Sequence, residues 1–409
     1  MRRAMLAAFG LSIAASSLAA QSARGWGDEL LLPEPLLTLG PRFTDPLAWP
    51  APPLRHSPRA VRAVYVNAWA FGGARFWDLV RLADSTEINS FVIDIKDDTG
   101  FLTYRSSVPT AIAIGANGQI RARDAQARLR ALHAHGIHAI ARIVVAKDPL
   151  LAAHKPDWSV QDVGGGLWRD RLNFAWVDAF NDSIWVYAAQ LAAEAVDMGF
   201  NEVQFDYVRF PDEPKARMAH AIFPARRRGE SVRDGVSRNL RLLRDRVKPL
   251  GVPFTIDVFG MTTNVRVDMG IGQVWEDLIS TADVVLPMVY PSHYYRAMYG
   301  VAHPNSEPYT IVKRALADGV ERSRQMGAGT AEIRPYLQAF TLGQPRYTPE
   351  LVRDQIRAAN DVGIHSWVLW NPRSDYDPRI FEKSAPQVVQ VAVQAQAPRA
   401  PMEMRHTRR

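Results

Sequence analysis

Hydrophobic and polar positions follow two alternating rhythms between residues 61 and 371. Short runs dominated by Val, Ile, Phe and Leu occur at Val61–Asn67, Ser90–Lys96, His138–Val145, Glu202–Val208, Phe254–Phe259, Asp283–Val289, Ile333–Phe340 and Ser366–Asn371. Runs of this length and composition read as strands buried on both faces. Between them, Phe76–Thr86, Ala122–His135, Ser183–Met198, Gly235–Lys248, Trp275–Thr281, Ile311–Met326 and Pro349–Val362 carry helical periodicity. Several strands follow a glycine placed to close a helix, as in Gly136-Ile137-His138, Gly199-Phe200-Asn201 and Gly363-Ile364-His365.

Eight such repeats predict an α/β protein closed as a (β/α)8 TIM barrel over residues 61–383. An open doubly wound sheet is the alternative, but it would carry a G-x-G-x-x-G turn after its first strand. Here Gly72-Gly73 stands alone. The loops after strands 3 and 4 are enlarged. The first carries Trp158, Trp168 and Trp176, and the second the run Arg226-Arg227-Arg228. The tryptophans either form sugar subsites or pack the loop, and the arginine run reads as a solvated loop.

The two ends differ from this body. Residues 1–20 place Arg2 and Arg3 before an apolar run and small residues, the pattern of a cleaved secretory signal. The implied location is periplasmic or secreted, with no stable membrane span after cleavage. Residues 21–60 are proline-rich and read as a linker or arm, and 384–409 as a flexible basic tail.

Composition narrows the function classes. In 409 residues, 47% are hydrophobic and 22% charged, which excludes a disordered chain. With no cysteine there is no disulfide framework, thiolate metal site or cysteine nucleophile. The net charge is +7, but Arg2 and Arg3 supply +2 and residues 398–409 another +3. The near-neutral remainder argues against a nucleic-acid partner, which needs a broad basic face.

In this fold, chemistry collects at the C-terminal ends of the strands. Those ends carry Asp94, Lys96 and Asp97 on strand two, and Gln204, Asp206, Tyr207 and Arg209 on strand four. Asp257 lies on strand five, Tyr290 and His293 follow strand six, Gln338 lies on strand seven, and Trp370 and Asn371 on strand eight. Carboxylates inside a ring of Tyr and Trp suit glycoside hydrolysis, in which one carboxyl donates a proton and another acts as nucleophile or base. Aromatic walls suit the apolar faces of sugars.

The segments GFNEVQFDYVRFP, DVFGMTTN, GQVWEDL with ADVVLPMVYPSHY, and SWVLWN resemble motifs of a bacterial family of glycoside-hydrolase-like domains, long carried as a domain of unknown function. That family is distantly similar to α-amylase-type (β/α)8 glycosidases, and the resemblance spans about Val61 to Tyr376. It implies Asp206 as nucleophile and Asp257 as acid/base. From their places at the strand ends, Gln204, Tyr207, Arg209, Tyr290, His293, Gln338, Trp370 and Asn371 are expected to bind an oligo- or polysaccharide, and Asp94, Lys96 and Asp97 to bind its hydroxyls or tune the nucleophile's charge. No cofactor and no metal are implied. The chain departs from the amylase-type pattern by Gln204 in place of an arginine and by Asp257 in place of a glutamate. It departs from the closer family at Trp176-Val177-Asp178-Ala179, where Trp-x-Asn-Pro is common.

Two alternatives stand beside this reading: a carbohydrate-binding barrel without turnover, and a metal-dependent hydrolase using Asp94, Asp97 and Asp98. The pair His133 and His135 belongs to the barrel bottom, and no G-x-S-x-G elbow supports a serine hydrolase.

Overall fold

A computed structural model describes residues 57–383. The expected signal segment, most of the proline-rich arm and the basic tail lie outside the described residues.

Eight parallel strands form a closed ring: β1 Arg62–Val66, β2 Ser90–Lys96, β3 His138–Val144, β4 Glu202–Asp206, β5 Phe254–Phe259, β6 Val284–Met288, β7 Tyr336–Gln338 and β8 Trp367–Trp370. Neighbours in sequence pair in register from β1 to β6. Tyr336 opposite Met288 joins β7 to β6, β7 pairs with β8, and Trp367 opposite Arg62 closes the ring. Seven helices alternate with the strands: α1 Arg75–Ser85, α2 Ala125–Ala134, α3 Asp182–Met198, α4 Val232–Val247, α5 Trp275–Ile279, α6 Pro308–Met326 and α7 Pro349–Asn360. No described helix is long and apolar enough to cross a membrane.

Local chemistry accounts for the differences from expectation. The seventh run splits into Glu332–Ile333 and Tyr336–Gln338 because Pro335 has no N–H for the ladder. Helix α4 starts three residues before the expected Gly235, because Ser231 and Asp234 form a reciprocal capping box. Gly136, Gly199 and Gly363 take φ of 68°, 119° and 82°, the left-handed backbone that ends a helix.

The loop after β3 (145–181) and the loop after β4 (207–231) are tied together by an antiparallel pairing of Gln161–Asp162 with Ala221–Ile222. Trp168 and Trp176 are buried and donate to Arg217 O at 3.2 Å and Asp170 Oδ2 at 2.9 Å. They pack the loop. The run Arg226–Arg228 is exposed.

Strand alternation sorts the barrel interior into tiers. A middle tier of Ala63, Val92, Ile140, Leu286, Tyr336 and Val368 is apolar and sealed. Under it, at the N-terminal strand ends, Glu202 accepts from Arg334 Nη1 at 2.6 Å and Thr255 Oγ1 at 2.8 Å, and meets His138 Nε2 at 3.3 Å. Above it, the C-terminal ends hold a second polar cluster.

Candidate active site

Four consecutive strands supply the upper cluster. Asp94 on β2 lies opposite Arg142 on β3, and Arg142 lies opposite Gln204 on β4, two residues before Asp206. Gln204 lies opposite Thr255, so Asp206 falls level with Asp257 on β5. Side chains two residues apart share a face, which sends Gln204, Asp206 and Asp257 into the barrel.

Arg142 organises this tier. Its Nη1 donates to Asp94 Oδ1 at 2.5 Å, its Nη2 donates to Asp206 Oδ2, and its Nε stands 3.7 Å from Asp257 Oδ2. A guanidinium this deeply buried requires carboxylate partners. Tyr65 donates to Asp94 Oδ2 and stacks on Trp370 with centroids 3.8 Å apart. The guanidinium lies 5.0 Å from the Trp370 centroid and 5.6 Å from that of Tyr65, a cation–π geometry.

The carboxyls experience different surroundings. Asp206 Oδ1 accepts from Tyr207 N at 2.6 Å, and Tyr207 adopts φ 54°, a strained conformation of the kind that collects at functional sites. Asp257 Oδ2 accepts from Gln204 Nε2 at 2.9 Å, while its Oδ1 is buried without a partner. Gln204 Nε2 also donates to Tyr336 Oη at 2.7 Å. Burial, and then the charge of Asp206, hold Asp257 well above the usual carboxylate range. Burial raises Asp94 to about 6, against the pull of Arg142 and Tyr65. Tyr290 is raised by burial and then by the charges of Asp257 and Asp206.

The structure thus brings Asp94, Gln204, Asp206 and Asp257 into one buried cluster around Arg142, with the ring of Trp370 against that guanidinium. Tyr207 directly follows Asp206, Arg209 lies 4.7 Å from the ring of Tyr207, and His293 lies 5.4 Å from that of Tyr290. Burial lowers His293 to about 4, and its Nδ1 lies 3.0 Å from Ser292 Oγ. Asp97 Oδ1 accepts from Thr99 N at 2.9 Å, which shapes its own turn.

Three expected binding residues serve the scaffold instead. Lys96 is buried, pairs with Asp148 at 2.7 Å and lies 6.0 Å from the ring of Tyr187 on α3, because the irregular pairing after Asp94 turns it toward the helical layer. Gln338 Nε2 donates to Phe340 O at 3.1 Å and its Oε1 accepts from Ser292 N at 3.1 Å, while its backbone exchanges bonds with the side chain of Gln355 on α7. Asn371 Nδ2 donates to Ala339 O and Asp375 O at 2.8 and 2.7 Å, fixing the turn after β8.

Arg142, Tyr65 and Tyr336 were not among the expected residues. The available signal was Arg142 itself, a cation at an inward position of the apolar run HAIARIVV, where an unpaired charge is not tolerated. Among the described residues, no group of three or more His, Asp or Glu side chains is arranged to hold a metal ion.

Residues 63–376 match a family described as a putative glycosyl hydrolase domain (DUF4015). No protein of curated function is matched. Among solved structures, the glycoside hydrolase domain of PgaB (BpsB) from Bordetella bronchiseptica is similar with a TM-score of 0.54 and 15% identity, covering 77% of this chain and 95% of that one. Flavobacterium johnsoniae chitobiase is similar with a TM-score of 0.51 and 13% identity, covering 82% of this chain and 50% of that one. A hypothetical protein from Ruminiclostridium thermocellum is 36% identical over 45% of this chain and 92% of its own, with a TM-score of 0.40. At their low identities, the first two likenesses establish the barrel fold.

Proposed function

We propose, from the premise that this chain belongs to the glycosyl hydrolase domain family matched over residues 63–376, that it is an exported glycosidase cleaving a polysaccharide or cell-envelope glycan with retention of configuration. The observation that carries the reading is the Asp206–Asp257 pair. The two carboxyls come from adjacent strands at one level, one charge-paired with Arg142 and the other buried with a free oxygen. Both carboxyls face one guanidinium, Asp206 hydrogen-bonded to it and Asp257 at 3.7 Å, which suits the short carboxyl separation of about 5 Å in retaining enzymes.

In the first step, an oxygen of Asp206 bonds to the anomeric carbon as the glycosidic C–O bond breaks. The proton of Asp257 passes to the departing oxygen. In the second, Asp257 takes a proton from water, the water oxygen bonds to the anomeric carbon, and Asp206 leaves. An acid in this role must hold its proton near neutral pH, and the burial of Asp257 beside Asp206 favours that. Asp94 and Tyr65 position Arg142 and, through it, Asp206. Tyr290 and Trp370 line the sugar site. The signal-like residues 1–20 support export to the periplasm or medium.

A binding barrel without turnover is favoured by one observation: both oxygens of Asp206 already accept hydrogen bonds. Screening the purified protein on polysaccharides, with Asp206→Asn and Asp257→Asn as controls, separates the two. Turnover lost in both variants supports the glycosidase. Binding without turnover in the unaltered protein supports the binding barrel.

A further inference from the structure

Six Lys and Arg side chains are buried among the described residues: Lys96, Arg142, Lys147, Arg209, Arg322 and Arg334. Five meet a carboxylate. Lys96 pairs with Asp148, Arg142 with Asp94 and Asp206, Lys147 with Asp98, Arg322 with Glu276, and Arg334 with Glu202. Arg209, only 8% exposed, meets none among the described residues. Burying a guanidinium without a counter-charge is costly, so its retention calls for another explanation.

The surroundings of Arg209 hold it in place without neutralising it. Its guanidinium lies 4.6, 4.7 and 5.4 Å from the ring centroids of Phe259, Tyr207 and Trp176. Nη1 donates to Phe210 O at 3.0 Å, one bond for a group with five N–H donors. Its other nitrogens are not among the sealed, unpartnered polar atoms, so they keep access to solvent. Nearby loop carboxylates are committed elsewhere. Asp170 accepts from Trp176 Nε1 and two backbone amides, and Glu213 lies 3.8 and 3.4 Å from Arg171 and Arg217.

Its location gives this open charge a use. Tyr207 directly follows Asp206, and Phe259 stands two residues beyond Asp257. The guanidinium therefore sits above the β4–β5 edge that carries both acids. A sugar with its anomeric carbon between them would present a ring substituent to Arg209. We infer that the substrate is an anionic glycan, whose sugar next to the cleaved bond carries an oxyanion substituent that Arg209 binds. A planar guanidinium fork suits a carboxylate, and it also accepts a sulfate. This inference rests on the glycosidase reading of the Asp206–Asp257 pair.

The test uses full-length Asp206→Asn protein and calorimetric binding to matched probes. These are uronate-containing oligosaccharides and their carboxyl-reduced forms, and sulfated oligosaccharides and their desulfated forms. The expected result is at least about tenfold tighter binding of one acidic set than of its neutral partner, with the preferred set identifying the oxyanion. Adding Arg209→Gln abolishes that preference, and Arg209→Lys keeps part of it. Equal or tighter binding of the neutral forms overturns the inference, as does a preference that survives Arg209→Gln or the absence of binding to any probe. The comparison of acidic with neutral probes stands without the Arg209 variants, whatever their folding. Failure of the glycosidase reading is separate: it would show as unaltered protein that binds these glycans and releases no product.

Discussion

The floor and the mouth of the barrel solve the same electrostatic problem in opposite ways. At the floor, one carboxylate, Glu202, is surrounded by Arg334, His138 and Thr255. Burial alone would raise its pKa, but Arg334 and then His138 and Thr255 bring it down to about 2. At the mouth, three carboxyls share one guanidinium, and Asp94 and Asp257 are raised instead. The floor has enough donors for its charge and reads as structure. The mouth is short of donors, leaves Asp257 Oδ1 unpartnered, and raises the pKa of Asp94 and Asp257 above the usual carboxylate range. Ion clusters of similar burial therefore differ in use according to which sign is in excess.

The largest expected effect breaks the mouth. Asp206→Asn should lower kcat on an active glycan by at least about 10³-fold, or about 4 kcal/mol. Its urea-unfolding midpoint should remain close to that of the parent protein. Asp257→Asn should cost about 10²–10⁴-fold on natural glycosides. It should cost far less on aryl glycosides, whose leaving groups need no proton. Equal losses on the two substrate types would remove Asp257 from the acid role.

The next effect breaks the floor. Arg334→Met leaves Glu202 buried without its main counter-charge and should lower the unfolding free energy by about 3–5 kcal/mol. Activity per folded molecule should be retained. Arg142→Met should do the reverse, because Asp94 can take up a proton where Glu202 holds its charge. Denaturant titrations paired with kinetics would show whether the two arginines exchange roles in this way.

The pH dependence of stability should also have opposite signs in the two regions. Glu202 stays ionised in the fold down to about 2, against 4.5 for the free side chain. Its contribution, about 3 kcal/mol, is present above pH 4.5 and lost as the pH falls toward 2. Asp94 keeps its proton in the fold up to about 6, against 3.8 when free. The unfolded chain releases that proton first, so stability falls by about 3 kcal/mol as pH rises from about 4 to 6. Asp94→Asn should flatten that second slope and leave the first unchanged in urea titrations across this range.

The smallest effect sharpens the mouth. The hydrogen bond from Gln204 pulls Asp257 downward, so Gln204→Met should move the alkaline limb of kcat/KM to higher pH. The expected change at the optimum is less than tenfold. A shift to lower pH would show that Gln204 acts on another group.

Much of the scaffold was legible from local pattern. Runs such as SFVIDIK and FTIDVF are dominated by apolar residues, as a parallel strand inside a helical layer must be, and the closing glycines mark helix ends. The candidate acids were legible for a related reason. An aspartate at the end of an otherwise apolar strand stands out because its burial is costly.

What could not be read was direction and pairing. Lys96 lies two residues beyond Asp94, yet an irregularity in the β2–β3 register sends it out to Asp148. Arg142 is absent from every motif, yet it joins Asp94, Asp206 and Asp257, because ring closure sets strands β2 to β5 side by side at one level. Gln338 and Asn371 have the right chemistry and position for a sugar site, but nearby backbone groups bond to their amides. Residue type and periodicity act over a few neighbours and suffice to specify strands, helices and a set of buried acids. Charge pairing, protonation and the open guanidinium of Arg209 depend on groups tens to hundreds of residues apart, and only the closed barrel brings those groups within bonding distance.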